Sequence, residues 1–455
     1  MRSTELHTAV IQSLSHDGRG IVSLNEKVTF VQNALPTETV RFCITRKHRR
    51  YNEAETIEVI DPAPERVTPP CPHANVCGGC SMQHIATDAQ IIFQEQTVKN
   101  LLKRTGHVEA LTWLSPLSGP TEGYRRKARL GVRYVRKKEK LLVGFREKQS
   151  NYLAEITTCT VLDPRIGLKL PELAALVRSL ECFESLPQIE VAAGDTIVAL
   201  TFRHMDPLSE QDQALLRQFG EQQGFHIYLQ PGSPDTVHKL WPDDGKPWLH
   251  YALPAHTLEM RFHPNDFTQV NHTANQQMIA QALALLNLQP TDTVLDLFCG
   301  LGNFTLPMAR FAASVTGVEG SLEMVKRARE NALLNGLTNT RFFTDNLMAP
   351  DLSAAWLQQH YDSILLDPPR TGAHEILPLI EQIGAKRIVY ISCNPATLAR
   401  DAGILVNDYH YQLISAGVVN MFPHTGHIET IALFEKSSGK KRKDGHRQTK
   451  ISSAR

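Results

Sequence analysis

The sequence predicts an α/β protein: a Rossmann-like, doubly wound C-terminal domain preceded by a small β-barrel and a central α+β domain. Strands and helices alternate from about residue 276 to 436, which is typical of a largely parallel sheet. Short strands separated by turns fill the first 60 residues, as in small OB-like barrels. Between these regions, three cysteines lie within ten residues and indicate a metal site rather than a disulfide scaffold.

The bulk composition bounds the domain count and the cellular compartment. A chain of 455 residues is too long for one ordinary core and divides into two or three domains. No apolar run approaches the ~20 residues of a membrane span, and the N-terminus lacks the apolar region of a signal peptide. We therefore expect a cytoplasmic protein without membrane contact. The net charge is only +1, so any nucleic-acid surface requires unevenly placed charge.

The N-terminal domain is predicted to cover residues 1–61. Its strands are expected at 8–15, 20–24, 27–31 and 39–45, separated by glycine-containing turns. The basic run 46–51 follows them. Such a run is usually a solvated face, but on a small barrel it is also the electrostatic footprint expected for RNA.

The central domain is predicted to cover residues 70–265, after a proline-rich linker. Its segment 125–140 carries nine basic residues against one acid, and 128–134 alternates as a strand with one basic face. Phosphate binding is the functional interpretation. The alternative is a basic edge strand that discourages aggregation.

The C-terminal domain is predicted to cover residues 266–436, with a basic, disordered tail at 437–455. Its first strand, 293–298, runs into the glycine-containing turn at Gly300, where the backbone can approach a ligand beside a helix N-terminus. The next strand ends at Glu319, which can hold a ribose diol, and Asn346 follows a further strand and can bond an adenine edge. A phosphate-binding lysine is absent from the sequence. The combination favours S-adenosylmethionine over a dinucleotide.

Two further strand ends carry reactive groups. Asp367 precedes two prolines, which form a rigid loop. Cys393 lies between a strand and a helix N-terminus, where the helix field favours the thiolate, although an inert, buried cysteine is the commonest alternative. Glu429 precedes the strand 430–434 and can serve as a proton acceptor. Addition of a thiolate to uracil C6 makes C5 nucleophilic, so this set predicts methylation of a uridine at C5.

The cysteine cluster is a second constellation. Cys71, Cys77 and Cys80 supply three thiols in a tight loop, and Cys159 is the best candidate for a fourth ligand. Four thiolates suit zinc or an iron–sulfur cluster, and the spacing alone does not choose between them. Unliganded cysteines are the alternative.

These motifs resemble those of the RNA uracil-5-methyltransferase family over nearly the whole chain. The resemblance implies a TRAM-like barrel at 1–61, Cys393 as nucleophile and Glu429 as general base. It also implies a [4Fe–4S] cluster on Cys71, Cys77, Cys80 and Cys159, and 23S rRNA, at uridine 1939, as substrate and partner of a monomeric enzyme. The cofactor positions that it implies are Gln269, Phe298, Asn303, Glu319, Asn346 and Asp367.

Two other functions compete with this interpretation. The first is an amino-group methyltransferase acting on adenine or guanine, which uses an aromatic residue after the two prolines and needs no cysteine; here Arg370 follows them. The second is an RNA-binding iron–sulfur protein with an inactive methyltransferase domain, which the intact set of candidate catalytic residues disfavours.

Overall fold

A computed structural model describes residues 5–437 of the chain. The predicted tail, apart from Ser437, lies outside these residues. None of the helices in the described range is long and apolar enough to cross a membrane.

The N-terminal region is a six-stranded sheet in the order β1-β5-β6-β4-β3-β2. Only Ile11 and Gln12 separate β1 from β2, which form the two edges. The two edges are therefore adjacent in the chain, and this strand-rich region, predicted as a barrel and called the barrel below, buries Val31, Val40 and Phe42 in its core. Its strands are β1 (Leu6–Val10), β2 (Ser13–Leu14), β3 (Gly20–Leu24), β4 (Lys27–Gln32), β5 (Thr39–Lys47) and β6 (Tyr51–Asp61).

The central region follows with a six-stranded sheet in the order β13-β12-β11-β10-β8-β9 and the hairpin β14-β15. Its helices are α1 (Thr87–Leu101), continued by a π-helical turn at Leu102–Gly106, α2 (Pro164–Gly167), α3 (Leu170–Ser179) and α4 (Glu210–Gln223). Its strands are β7 (Thr112–Trp113), β8 (Lys127–Val135), β9 (Lys140–Gly144), β10 (Gln188–Ala193), β11 (Val198–Arg203), β12 (Phe225–Gln230), β13 (His238–Trp241), β14 (Leu249–Leu253) and β15 (Leu258–Phe262).

The C-terminal region has the predicted doubly wound fold. Its sheet has the order β18-β17-β16-β19-β20-β22-β21-β7, parallel from β18 to β20, with β22 antiparallel to both neighbours. Its helices are α5 (His272–Leu286), α6 (Thr305–Met308), α7 (Leu322–Leu334), α8 (Leu377–Ile383) and α9 (Pro395–Asn407). Its strands are β16 (Thr293–Leu297), β17 (Ser314–Glu319), β18 (Thr340–Thr344), β19 (Ser363–Leu366), β20 (Arg387–Ser392), β21 (Tyr411–Val419) and β22 (Glu429–Lys436).

Part of the predicted central domain packs with the C-terminal sheet. Val98, Leu102 and Val108 belong to the same buried cluster as β16, β19 and β20, and β7 pairs with β21. Gly106 lies against the backbone of α9, where a Cβ atom would meet the Ala399 carbonyl oxygen at 2.4 Å. Helix α1 and its π-helical turn therefore belong physically to the doubly wound layer.

Candidate active site

The candidate cofactor and catalytic residues converge because five parallel strands end at one edge of the C-terminal sheet. Phe298 and Gly300 follow β16, and Glu319 ends β17. In the same way Asp367 follows β19 and Cys393 follows β20. The candidate residues at these strand ends therefore lie along one edge of the sheet.

The turn after β16 is tied to the end of β17. The Gly300 N–H donates to one carboxylate oxygen of Glu319 at 3.2 Å, and the Ser321 N–H donates to the other at 3.0 Å. Phe298 adopts a left-handed φ of 65°, and its N–H donates to the Val318 carbonyl at 2.9 Å. Residues other than glycine rarely adopt this backbone conformation. The surrounding backbone hydrogen bonds therefore hold the turn in place.

Tyr251 and Asn275 bond to Asn303 and line a small cavity together with Gln269. Asn303 forms a reciprocal amide pair with Asn275, at 2.8 and 2.9 Å, and accepts a bond from the Tyr251 hydroxyl at 3.1 Å. Gln269, Tyr251 and Asn275 line one small cavity. Asn346 is exposed after β18, and its side-chain oxygen accepts from the Met348 N–H at 3.1 Å. Tyr251 and Asn275 are site residues that sequence analysis missed.

A buried ion pair positions the segment that carries Gln269. The Asp266 carboxylate accepts from the Arg327 Nε at 3.0 Å, and the Arg327 guanidinium lies 3.6 Å above the Trp248 ring. Lys127, at the start of β8, donates to the Asp266 carbonyl oxygen. These contacts connect α7, the hairpin region and β8, so the Gln269 segment is fixed from three sides.

The Cys393 loop is anchored to the loop that contains Arg370 and to strand β22. Asn394 caps α9 by accepting from the Ala396 N–H at 3.1 Å, and its side-chain amide donates to the Arg370 carbonyl at 2.9 Å. Thr430, on β22, donates to the Ser392 carbonyl at 3.1 Å. The loop after the two prolines and the strand that begins at Glu429 are therefore held against the nucleophile candidate.

The charge environment of Cys393 differs from the sequence-based expectation. Burial, followed by the charges of the Glu429 and Asp367 carboxyls, raises the pKa of the thiol to about 11, and the Arg370 guanidinium opposes this rise. The expected preference for the thiolate is therefore wrong. Partial burial and two acids outweigh the field of the α9 N-terminus.

Both acids are themselves shifted towards their neutral forms. Burial, and then the charge of Asp367, raise the pKa of Glu429 well above its ordinary value, with Arg370 opposing. Burial raises the pKa of Asp367 to about 7. At neutral pH the site thus holds the thiol form of Cys393 and an Asp367 carboxyl near its titration midpoint, and burial favours the neutral form of Glu429.

We expect the alkylation rate of Cys393 to rise about tenfold per pH unit through pH 10, because only the thiolate reacts and its pKa is raised. An ordinary cysteine levels off near its pKa of about 8.5. Iodoacetamide labelling followed by peptide mass spectrometry measures the rate at this residue. In Arg370→Gln the pKa of Cys393 rises further, so labelling is slower at every pH; a plateau below pH 9 in the wild type contradicts the expectation.

Arg370 is a third residue, after Tyr251 and Asn275, whose role the sequence did not indicate. Its guanidinium contacts the His427 ring at 3.1 Å, and both side chains are exposed beside Cys393. Arg370 therefore presents a fixed positive charge at the entrance to the nucleophile.

The four cluster cysteines line one cavity. Cys71, Cys77, Cys80 and Cys159 lie in its wall, and burial raises the pKa of the Cys80 thiol to about 12, with the other three thiols adding to the shift. Within residues 5–437, however, no group of three or more His, Cys, Asp or Glu side chains is arranged to hold a metal ion. The fold thus brings the predicted ligands together without showing a metal centre.

The same cavity, of about 1210 Å³, extends from the barrel to Cys393. The barrel contributes its turn at His16–Arg19, and the C-terminal domain contributes Arg370 and His427. Its basic wall residues are Arg19, Arg104, Arg125, Lys148 and Arg370.

The predicted basic segment 125–140 contributes only Arg125 to this cavity. Five of its other cations pair with acids, among them Arg129 with Glu190 at 3.0 Å and Arg136 with Glu184 at 2.6 Å. Much of the basic face is therefore neutralised by neighbouring strands and loops, which the sequence run did not reveal.

Comparisons with known proteins show which proteins the chain resembles. The 23S rRNA (uracil(1939)-C(5))-methyltransferases of Alcanivorax borkumensis and Hahella chejuensis are 50% and 52% identical to the chain, cover 95% and 94% of it, and are themselves covered to 97%. The crystal structure of Pyrococcus abyssi tRNA (uracil-54, C5)-methyltransferase with S-adenosyl-L-homocysteine shares the fold at 21% identity. Its TM-score is 0.71, over 94% of this chain and all of that one.

The tRNA (Uracil-5-)-methyltransferase family profile matches residues 93–437, which include every candidate catalytic residue. The family resemblance predicted from the sequence is thereby confirmed. The chain belongs to the tRNA (uracil-5-)-methyltransferase family.

Proposed function

We propose that the protein transfers a methyl group from S-adenosylmethionine to C5 of a uridine in 23S rRNA, at the position equivalent to 1939. The observation that carries this proposal is the Cys393 thiol, which opens onto a large basic cavity beside Glu429 and Asp367. Family membership and relatives of 50% identity with this activity support the substrate.

In the proposed reaction Cys393 forms a bond to C6 of the uracil, and the electron pair of the C5–C6 double bond moves into an enolate. Bound S-adenosylmethionine supplies the electrophilic methyl group that C5 then attacks. Asp367 is the neighbouring group best suited to accept the thiol proton, because its pKa of about 7 leaves it partly ionised near neutrality. Asp367 thus acts before the covalent bond forms.

Glu429 acts after methyl transfer. Its carboxylate removes the proton from C5, the C5–C6 double bond returns, and the bond to the Cys393 sulfur breaks, which regenerates the thiolate. Since burial favours the neutral acid, Glu429 must ionise before this step, and the nearby Arg370 guanidinium favours that ionisation.

The cofactor-binding residues fit S-adenosylmethionine by their chemistry. Glu319, oriented by the Gly300 and Ser321 N–H groups, can accept bonds from a ribose diol, and Asn346 offers an amide to an adenine. Gln269, Phe298, Asn303 and Asp367 complete the proposed site. The Asn271 side-chain nitrogen is buried without a hydrogen-bond partner, and a bound polar ligand would satisfy it.

RNA is proposed to reach Cys393 along the cavity shared by the barrel and the central region. The cations in its wall can contact phosphates, and the TRAM-like barrel at 1–61 supplies the turn that closes its far side. The domain boundaries proposed from the sequence are retained, with α1 and its π-helical turn packed on the C-terminal domain.

The four cysteines are proposed to hold a [4Fe–4S] cluster. Four thiols in one wall fit the ligand type that such a cluster requires, and the Gly79 N–H already donates to the Cys77 sulfur at 3.4 Å, the kind of bond that tunes cluster sulfurs. We propose a structural role for it, in the wall of the RNA path.

Replacing Cys80 with serine is expected to lower bound iron and inorganic sulfide to near zero, since a hydroxyl is a poor ligand for this cluster. Iron and sulfide analysis of protein purified without oxygen measures both. Cys182→Ser, outside the cavity, is the control and keeps the full content. Stoichiometric zinc without sulfide in the wild type contradicts the cluster.

The function is tested by incubating the protein with labelled S-adenosylmethionine and either unmodified 23S rRNA or bulk tRNA, then mapping the labelled nucleoside. We expect 5-methyluridine at one site in 23S rRNA. Label in tRNA alone overturns the ribosomal substrate, and label on another base overturns the covalent uracil mechanism.

A further inference from the structure

Gln90 is buried in α1, 1% exposed, and connects two loops far apart in sequence. Its side-chain nitrogen donates to the Met82 and Ile85 carbonyls at 3.1 and 2.8 Å. These carbonyls follow directly after residues 71–80, called the cysteine loop here. The Gln90 side-chain oxygen accepts from the His424 N–H at 2.9 Å. We propose that Gln90 is a positioning residue. It couples the position of the loop that leads to Glu429 to the conformation of the cysteine loop.

The two loops are also joined directly. The backbone N–H groups of Ser81 and Met82 both donate to the His424 carbonyl at 3.0 Å. The N–H and the carbonyl of His424 are thus both bonded to the Cys80–Gln90 part of the chain. A shift of the cysteine loop therefore moves the backbone of His424 with it, because Met82, Gln90 and His424 are buried and their polar groups would otherwise lose these bonds.

Other contacts restrict the remainder of the loop 420–428. The Tyr124 hydroxyl donates to the Pro423 carbonyl at 3.0 Å. A Cβ atom on Gly426 would meet the Cα atom of Asp17 at 2.8 Å, so the barrel turn presses on the loop. Barrel, cysteine loop, central region and α1 consequently meet at this one segment.

The position of the loop 420–428 matters because the loop carries residues of the proposed active site. His427 and Ile428 line the cavity beside Cys393, and Glu429 follows immediately at the start of β22. Gln90 is not part of the cavity wall beside Cys393, and it acts on this loop through His424, whose N–H and ring Nδ1 lie 2.9 and 3.2 Å from its side-chain amide. The inference rests on the proposed function, in which Glu429 is the base.

The test compares Gln90→Met, which keeps the volume but removes all of these bonds, with Gln94→Met. Gln94 is equally buried, 2% exposed, one turn further along α1, and reaches the same loop only through bonds of 3.4 and 3.5 Å. We expect Gln90→Met to lower kcat at least tenfold, with unchanged affinity for S-adenosylmethionine. We expect less than a threefold effect for Gln94→Met.

A readout independent of methyl transfer is the iodoacetamide labelling rate of Cys393 at fixed pH. It is expected to change at least threefold in Gln90→Met, because Glu429 is displaced from the thiol, and to stay constant in Gln94→Met. Gln90→Glu keeps an acceptor for the His424 N–H and is tested in parallel. Gln90→Glu is expected to lower kcat less than Gln90→Met does, and it replaces Gln90→Met if the methionine variant does not fold.

Unchanged kcat and labelling in folded Gln90→Met overturn the inference, as does an equal loss of kcat in both methionine variants. Lost affinity for S-adenosylmethionine in parallel with kcat also overturns it, since that indicates general unfolding. If the wild type methylates no RNA, the proposed function fails, while the labelling rates still decide whether Gln90 positions the Cys393 site.

Discussion

Cys393→Ala is expected to abolish methyl transfer to RNA while leaving the affinity for S-adenosylmethionine unchanged. Without the thiolate, C5 of uracil is never made nucleophilic, and the loss of a covalent nucleophile is not compensated by the rest of the site. Cys393 is partly exposed in a capped loop, so alanine costs little stability. Initial rates with labelled cofactor and isothermal titration with S-adenosylmethionine measure the two quantities.

The adduct itself can be trapped. With RNA that carries 5-fluorouridine at the target, no C5 proton is available for removal, so the bond between C6 and the Cys393 sulfur persists. We expect a band that survives denaturing electrophoresis in the wild type and in Cys43→Ala, a control thiol on the barrel, but not in Cys393→Ala. If Cys393→Ala transfers methyl groups at more than one hundredth of the wild-type rate, the covalent mechanism is contradicted.

Glu429→Gln is expected to lower turnover by about 10²–10⁴-fold, the usual contribution of a general base. The amide fits the same buried volume but accepts no proton, so the reaction stops after methyl transfer, before the C6–sulfur bond breaks. A covalent complex with unmodified RNA, carrying the labelled methyl group, should therefore accumulate. Quenched reactions separated on denaturing gels measure the complex and its label.

The matched control is Glu435→Gln on the same strand, whose carboxylate pairs with Arg387 at 2.9 Å, away from the site. It is expected to keep the wild-type turnover. Because burial raises the pKa of Glu429, the acid form dominates at low pH, and wild-type turnover should rise with pH where Glu429→Gln shows a flatter profile. Full turnover by Glu429→Gln would assign the base to another group.

Local pattern was sufficient for most elements of the C-terminal domain. The strand expected at 293–298 is observed at Thr293–Leu297, and the N-terminal strand expected at 20–24 is confirmed to the residue, because alternating or continuous apolar runs bounded by turns define them. Strand β21 was missed: its Ser415, Ala416 and Gly417 have weak strand preference, and pairing with β22 and β7 forms it.

Strand β6 was missed for a related reason. It carries several acidic and polar residues, which disfavour strands in isolation, yet it pairs with both β4 and β5. Two partners supply backbone bonds on both edges, which outweigh the local preference. Barrel closure therefore depends on a strand that no local pattern marks.

The sequence by itself determined the family, the doubly wound fold and the identity of the candidate residues, because consecutive parallel strands must end at one edge of a sheet. Only the tertiary structure decided their protonation states, since burial of Glu429 and its approach to Cys393 arise from strands paired across the sheet. It also decided which contacts support the site: Gln90 bonds to His424 across 334 residues of chain. Such bonds depend on packing in three dimensions, on which sequence spacing carries no information.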